Sequence, residues 1–75
     1  MTEITTEKLL AIIKKYRQEL GYSQAEMAKK SSISTSFYGM LERGCRSLTI
    51  EYLIKIAKAL DCTAIDLLEM VETEK

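Results

Sequence analysis

Apolar residues recur along the chain at the three- and four-residue spacing of amphipathic helices. The first stripe consists of Leu9, Ile13, Tyr16 and Leu20. A later stripe consists of Leu53, Ile56, Ala57 and Leu60, with Lys55 and Lys58 between its members as the polar side. Shorter apolar sets lie in between and after, so the pattern predicts helices throughout and no strands.

Polar residues with capping chemistry divide this pattern into five helices. Ser23 with Glu26, and Thr63 with Asp66, have the spacing of capping boxes, and Ser34 and Thr49 are predicted N-caps. Gly21 and Gly44 follow helical stretches and supply left-handed stops. The predicted helices are 6–20, 24–30, 35–43, 50–60 and 64–71, and the last residues, 72–75, are expected to fray. The fold class is therefore all-α, in a single domain over residues 1–75.

Charge distribution adds information that the net charge of zero conceals. Between Lys14 and Lys58 there are nine basic and four acidic residues, whereas residues 61–75 contain five acidic residues and one basic residue. A basic middle and an acidic tail are compatible with one face toward a polyanion and a remote end that avoids it. Solvated helix faces account for the same charges equally well.

Composition argues against several other classes of protein. The chain has no His, no phosphate-cradling glycine loop and no Cys-x-x-Cys pair, so we expect no catalysis, no metal and no cofactor. Apolar runs fall short of a membrane span, and the acidic start differs from a signal peptide. These features predict a cytoplasmic protein, in which Cys45 and Cys62 are reduced thiols.

Residues 23–44 have the layout of two short helices joined by a tight turn. This arrangement is the unit that places a second helix in the DNA major groove, which is about 12 Å wide and admits one helix. The segment resembles the phage Cro and repressor type of helix-turn-helix, the XRE family. The matching positions are Ser23, Gln24, Ala28, Ile33, Ser34, Glu42 and Gly44, and the similarity extends over about residues 7–70.

The resemblance implies a five-helix, lambda-repressor-like domain that binds double-stranded DNA and regulates transcription. By the same resemblance, Gln24 binds a backbone phosphate at the start of the second helix, and Phe37 lies near the sugar-phosphate rim. Arg43 and Arg46 contact phosphate or reach into a neighbouring groove. The complete expected DNA-binding set is Ser23, Gln24, Ser34, Thr35, Ser36, Phe37, Gly39, Met40, Arg43 and Arg46, with Thr35, Ser36, Gly39 and Met40 facing the bases.

Arg17 and Glu42 match a family pair that forms a structural salt bridge between the first and third helices. The alternative for Arg17 is a DNA contact. Ser32 departs from the family pattern, which has Gly there, and must accept a left-handed backbone.

The outer face of the third helix contains no Arg, Lys, Gln or Asn, the residues that make bidentate base contacts. Specificity would then depend on DNA shape, on Arg43 and Arg46, and on dimer spacing. Gly39, inside the same helix, either permits close approach of DNA or a partner, or is a tolerated surface glycine.

The segment from Arg46 to Ile50, together with the aromatic residue at position 37, resembles restriction-modification controller proteins, which are dimeric regulators of this family. A phage or mobile-element repressor is the alternative.

More apolar residues are present than five short helices can bury, which favours a homodimer on a near-palindromic operator. The residues expected to remain outside the core are Leu10, Ile12, Tyr52, Ile54, Ile65, Leu68, Met70 and Val71. Because the resemblance places family dimerisation near Ile65 and Leu68, the predicted interface is Ile65, Leu68, Met70, Val71 and Tyr52.

A different function on the same fold stays open at this point. Because the third helix is rich in apolar residues, it could serve a protein-binding module, with Phe37, Tyr38 and Met40 as anchors. Binding to duplex DNA across a salt series separates the two alternatives.

Overall fold

The computed structural model describes residues 3–73, and these form five α-helices with no strand among them. The helices are α1 (Thr6–Glu19), α2 (Gln24–Lys30), α3 (Thr35–Glu42), α4 (Ile50–Ala59) and α5 (Ala64–Thr73). The all-α prediction is confirmed. Expectations for residues 1–2 and 74–75 lie outside the described residues.

Helix boundaries agree with the sequence pattern to within one residue except at the end of α5. Leu20, Arg43 and Leu60, predicted as last helical residues, are C-caps instead. The predicted end of α5 at residue 71 was two residues short, because α5 continues to Thr73, whose hydroxyl donates to the carbonyl oxygen of Glu69 at 3.2 Å.

The predicted caps are present. Ser23 Oγ accepts from the Glu26 amide at 3.1 Å while the Glu26 carboxylate accepts from the Ser23 amide at 2.9 Å, which completes a capping box. Thr63 and Asp66 make the same pair of bonds at the start of α5. Each cap satisfies amides that have no partner inside the helix, and thereby sets where each helix begins.

Left-handed residues separate consecutive helices. Gly21 and Gly44 have φ of 77° and 82°, as helix-ending glycines do. Ser32, between α2 and α3, has φ of 58°, which confirms that this position requires the left-handed backbone. Asp61 also adopts a left-handed φ of 59° before α5, at a position where the sequence pattern predicted none.

Helix α1 packs against both α5 and α3, so its buried face is wider than one stripe. Leu10 and Ile12, expected outside the core, are buried, and Leu20 at the end of the predicted stripe is exposed. The error arises because periodicity identifies one face of a helix but not how many neighbours surround it. The core also contains Leu9, Ile13, Met27, Ala28, Tyr38, Leu41, Leu53, Ile56, Ala57, Leu60, Leu67 and Val71.

Val71 corrects the predicted dimer interface. Its side chain is 1% exposed and belongs to the core, because α5 turns it toward the interior together with Leu67. A second copy therefore cannot reach it on the surface. No helix within residues 3–73 combines the length and apolar character that crossing a bilayer requires.

Candidate nucleic-acid interface

Helices α2 and α3 form the helix-turn-helix unit and pack directly on each other. Met27 and Ala28 of α2, and Tyr38 and Leu41 of α3, are fully buried, so α3 is held from beneath by apolar contacts. The opposite side of α3 faces solvent. Thr35 and Ser36 are exposed there, and Met40 is half-buried. The geometry therefore presents a short polar helix face on a rigid apolar base.

The N-cap of α3 is Ser34, whose hydroxyl accepts from the Phe37 amide at 3.1 Å. Ser23 holds the corresponding position in α2. Both serines belong to the predicted DNA-binding set, and the structure gives each of them a local capping bond. Both residues are exposed.

A charged network connects α1 to the end of α3. Arg17 donates from Nε to Glu42 Oε2 at 2.9 Å and from Nη2 to Oε1 at 3.0 Å, a bidentate pair. Its Nη1 also donates to the carbonyl oxygen of Tyr22 at 2.6 Å. The Arg17 side chain is 9% exposed and that of Glu42 is 2% exposed. All these contacts lie inside the chain, so Arg17 serves the fold in this structure.

The pKa values of this pair reflect the same contacts. The hydrogen bond to Glu42 raises the pKa of Arg17, although burial opposes it. Burial acts to raise the pKa of Glu42, but the hydrogen bonds that the carboxylate accepts, above all from Arg17, keep that pKa below its ordinary value. Both groups are therefore charged at neutral pH.

Gln24 joins this network from the first turn of α2. Its Nε2 donates to Glu42 Oε1 at 3.1 Å, so the amide bridges α2 to the end of α3. The family resemblance implied only a phosphate contact for Gln24. No sequence signal identifies this bond, because it depends on the crossing of two helices.

Tyr38 is fully buried, and its hydroxyl has no hydrogen-bond partner in the described part of the chain. Burial raises the pKa of its phenol, and the Glu42 carboxylate raises it further. The suggestion that Tyr38 anchors a protein partner was wrong, since α3 turns this side chain into the core. The apolar surface available to such a partner is correspondingly smaller.

Gly39 is buried in the middle of α3, so the interpretation as a tolerated surface glycine was wrong. The alternative, that Gly39 permits close approach of DNA or a partner, stays a prediction. The side chains of Arg43 and Gln24 cover it, with Arg43 Nη1 3.3 Å and Gln24 Oε1 3.4 Å from the position of an added Cβ.

Aromatic rings and cations form a row beside α3. The ring centroids of Phe37 and Tyr52 are 5.0 Å apart. Arg46 Cζ lies 5.9 Å from the Phe37 centroid, and Lys55 Nζ lies 6.0 Å from that of Tyr52. We call Arg46, Phe37, Tyr52 and Lys55 the aromatic-cation row. It extends the basic surface from the loop after α3 onto α4.

This row changes the interpretation of two residues. Tyr52, predicted at the dimer interface, packs on Phe37 and so lies beside the expected DNA-binding residues. Lys55, expected only on the solvated side of α4, lies next to it. The i, i+3 spacing of Tyr52 and Lys55 on α4 was a visible signal, but its connection to Phe37 required the tertiary fold.

Residues 13–67 match the family described as helix-turn-helix. The chain belongs to this XRE-type family. It is 39% identical over 64 residues to the HTH-type transcriptional regulator SinR of Bacillus subtilis (strain 168), an alignment that includes 83% of the chain. The chain spans 58% of the length of that relative. The family resemblance stated from sequence is confirmed.

Solved structures of helix-turn-helix regulators match the whole fold. The wild-type restriction-modification controller protein C.Esp1396I is 33% identical, with a TM-score of 0.86 over 97% of this chain and 95% of that one. The clp gene regulator ClgR from Corynebacterium glutamicum is 27% identical, with a TM-score of 0.81 over 93% of this chain and 74% of that one. The similarity of the segment 46–50 to controller proteins thus agrees with a structural likeness.

Ile65 and Met70, two of the remaining predicted dimer residues, lie on different sides of α5, whereas Tyr52 belongs to α4. Ile65 is 67% exposed beside an apolar groove between α4 and α5, whose lining also includes Ile54, Ala57 and Ala64. Leu68 is half-buried, and Met70 lines a separate depression against Ile12 and Tyr16 of α1. The structure therefore does not bring the five predicted residues into one patch.

Both cysteines are free thiols. Cys45 is exposed in the loop after α3, and Cys62 is half-buried next to the α4–α5 groove. Burial raises the pKa of the Cys62 thiol, and Asp66 and Asp61 raise it further, which makes it less reactive as a nucleophile.

Proposed function

We propose that this chain is a DNA-binding transcriptional regulator that inserts α3 into the major groove of duplex DNA. The observation that carries the proposal is the exposed polar face of α3, with Thr35 and Ser36, on a fully buried apolar underside. Such a helix fits the groove without rearrangement of the core. Membership of a family of transcriptional regulators supports the same function.

Within this proposal the residues divide by chemistry. Thr35 and Ser36 donate or accept single hydrogen bonds at base edges, and the Met40 side chain contacts thymine methyl groups. Gln24, Ser23 and Ser34 lie at the starts of α2 and α3 and contact the backbone of the duplex. Arg46 and Lys55, at the two ends of the aromatic-cation row, supply charge for phosphates, which position a protein on DNA without reading its sequence.

We further propose that two copies bind a near-palindromic operator through a two-fold homodimer. Ile65 lies exposed at the edge of the α4–α5 groove, so in a symmetric pair each Ile65 can occupy the groove of the other copy. Such a pair covers apolar surface that a 75-residue chain cannot bury alone. The two α3 helices then enter successive major grooves about 34 Å apart.

Binding to duplex DNA across a series of salt concentrations tests the proposed function. A fluorescent duplex pool of random sequence is titrated with protein from low to physiological salt. We expect affinity to fall steeply and log-linearly with salt, since each phosphate contact releases counterions. Absence of binding at low salt would contradict the proposal and favour a protein partner for α3.

A further inference from the structure

Gly39 leaves space that the side chain of Arg43 occupies. The two residues are four apart, so they share one face of α3 on consecutive turns. An added Cβ at Gly39 would stand 3.3 Å from Arg43 Nη1, a separation tighter than nine in ten Cβ contacts. A Cβ at position 39 would therefore require the guanidinium tip to move by a few tenths of an ångström.

The Arg43 guanidinium is not held by a polar partner among the described residues. It makes no hydrogen bond or ion pair within residues 3–73, whereas Arg17 is fully engaged with Glu42 and Tyr22. Arg43 is also exposed, although its tip lies back over the middle of α3. Its donors are thus available on the outer side of the helix.

The guanidinium of Arg43 supplies a pair of parallel donors, which the rest of the exposed face of α3 lacks. Thr35, Ser36 and Met40 offer no pair of parallel donors, and no other residue of α3 carries an amide or a cation. The guanidinium lies back over Gly39, on the face of α3 that Ser36 and Met40 share through their three- and four-residue spacing. Guanine presents two acceptors, O6 and N7, which match the guanidinium fork.

We propose that Gly39 is a specificity-determining position, because its missing side chain seats Arg43 so that its fork reads a guanine in the major groove. Arg43 is then the contact residue and Gly39 the positioning residue. This inference rests on the proposed DNA-binding function and deepens it. It gives α3 the bidentate base contact that its sequence does not show.

The test selects bound fragments from random duplex DNA with four proteins: wild type, Gly39→Ala, Arg43→Ala and the double variant. We expect wild type to enrich a guanine at one position of each half-site, and the three variants to lose that preference. A fluorescent duplex of the selected sequence then carries 7-deazaguanine at that position. Wild type should lose about 5- to 150-fold in affinity on this substitution, and Gly39→Ala much less.

The same four proteins also check that Gly39→Ala folds and that its effect depends on Arg43. The atoms that an alanine displaces are ends of flexible side chains, and alanine favours helix more than glycine does, so Gly39→Ala should melt no lower than wild type. If Gly39 acts through Arg43, adding Gly39→Ala to Arg43→Ala changes neither affinity nor selected sequence. A further loss in that background would overturn the positioning role.

Two other results would also overturn the inference while the proposed function survives. One is a guanine preference that persists in Gly39→Ala. The other is an Arg43→Ala variant that loses affinity equally for all sequences with a salt dependence weaker by about one phosphate contact. Failure of wild type to bind DNA at low salt would instead overturn the proposed function itself.

Discussion

At the scale of single residues, the Arg17–Glu42 pair connects α1 to the helix that carries the proposed DNA contacts. The family resemblance named this pair from sequence, and the structure adds its geometry, including the bond from Gln24 to the same carboxylate. Buried ion pairs cost much to break from one side, because the remaining charge loses its partner. We therefore expect the pair to matter for stability.

Glu42→Gln should lower the free energy of unfolding at pH 7 by about 3 kcal/mol, since Arg17 is left without its counter-charge. The folded-state pKa of Glu42 lies below its ordinary value, so its contribution is fully present above that ordinary value, about 4.3, and is lost as pH falls through the lowered folded-state pKa. The difference between wild type and Glu42→Gln should therefore shrink below about pH 4.3. Urea denaturation followed by circular dichroism from pH 7 to pH 3 measures this difference in the free energy of unfolding.

Glu19→Gln is the matched control, because it removes an exposed carboxylate of α1. We expect it to change stability at pH 7 by less than about 0.5 kcal/mol. A Glu42→Gln deficit that stays constant down to pH 3 would show that the deficit does not come from the charged form of Glu42.

At the scale of elements, local chemistry predicted the helices well because caps and stops act over three or four residues. Ser23 with Glu26 and Ser32 with its positive φ are examples in which the sequence pattern and the structure agree. What the pattern missed is how elements meet. The contact between Phe37 of α3 and Tyr52 of α4 joins residues from separate helices and extends the basic surface beside α3.

The division of roles on the DNA-binding side is testable with single variants. Arg46→Ala should weaken binding to all sequences and reduce the salt dependence by about one phosphate contact, because it removes a charge that carries no base information. Ser36→Ala should instead change the selected sequence and leave the salt dependence intact. Both are measured by fluorescence anisotropy on a panel of duplexes at several salt concentrations.

Lys8→Ala serves as the charge control, since Lys8 lies in the first turn of α1 and bonds the carbonyl oxygen of Glu3. It should bind DNA as wild type does. If Lys8→Ala and Arg46→Ala weakened binding equally, net charge and not the aromatic-cation row would explain the effect.

At the scale of the whole molecule, one core contains residues of all five helices, and an apolar groove lies between α4 and α5. The exposed Ile65 beside this groove is the observation that supports the proposed homodimer. Met70 and Tyr52, predicted with it, lie against α1 and Phe37 respectively, so the candidate interface is smaller than the sequence indicated.

Ile65→Glu should convert a dimer to monomers without loss of helical structure. A buried Ile contributes about 1.5–3 kcal/mol, and two-fold symmetry doubles the loss, so the dimer dissociation constant should rise at least about 100-fold. Sedimentation equilibrium measures the constant, and circular dichroism checks the fold. Leu20→Glu, at an exposed apolar position at the end of α1, is the control that should sediment as wild type. An Ile65→Glu protein that remains dimeric would place the interface elsewhere.

The sequence by itself determined the five helices, their caps, the helix-turn-helix unit and the family, because each depends on residues close together in the chain or on a motif of fixed spacing. Only the tertiary structure decided which apolar residues enter the core, as Leu10 and Val71 do, and which residues of different helices meet, as Phe37 and Tyr52 do. The physical reason is that periodicity defines the faces of one helix. The neighbours of each face are set by how the helices cross.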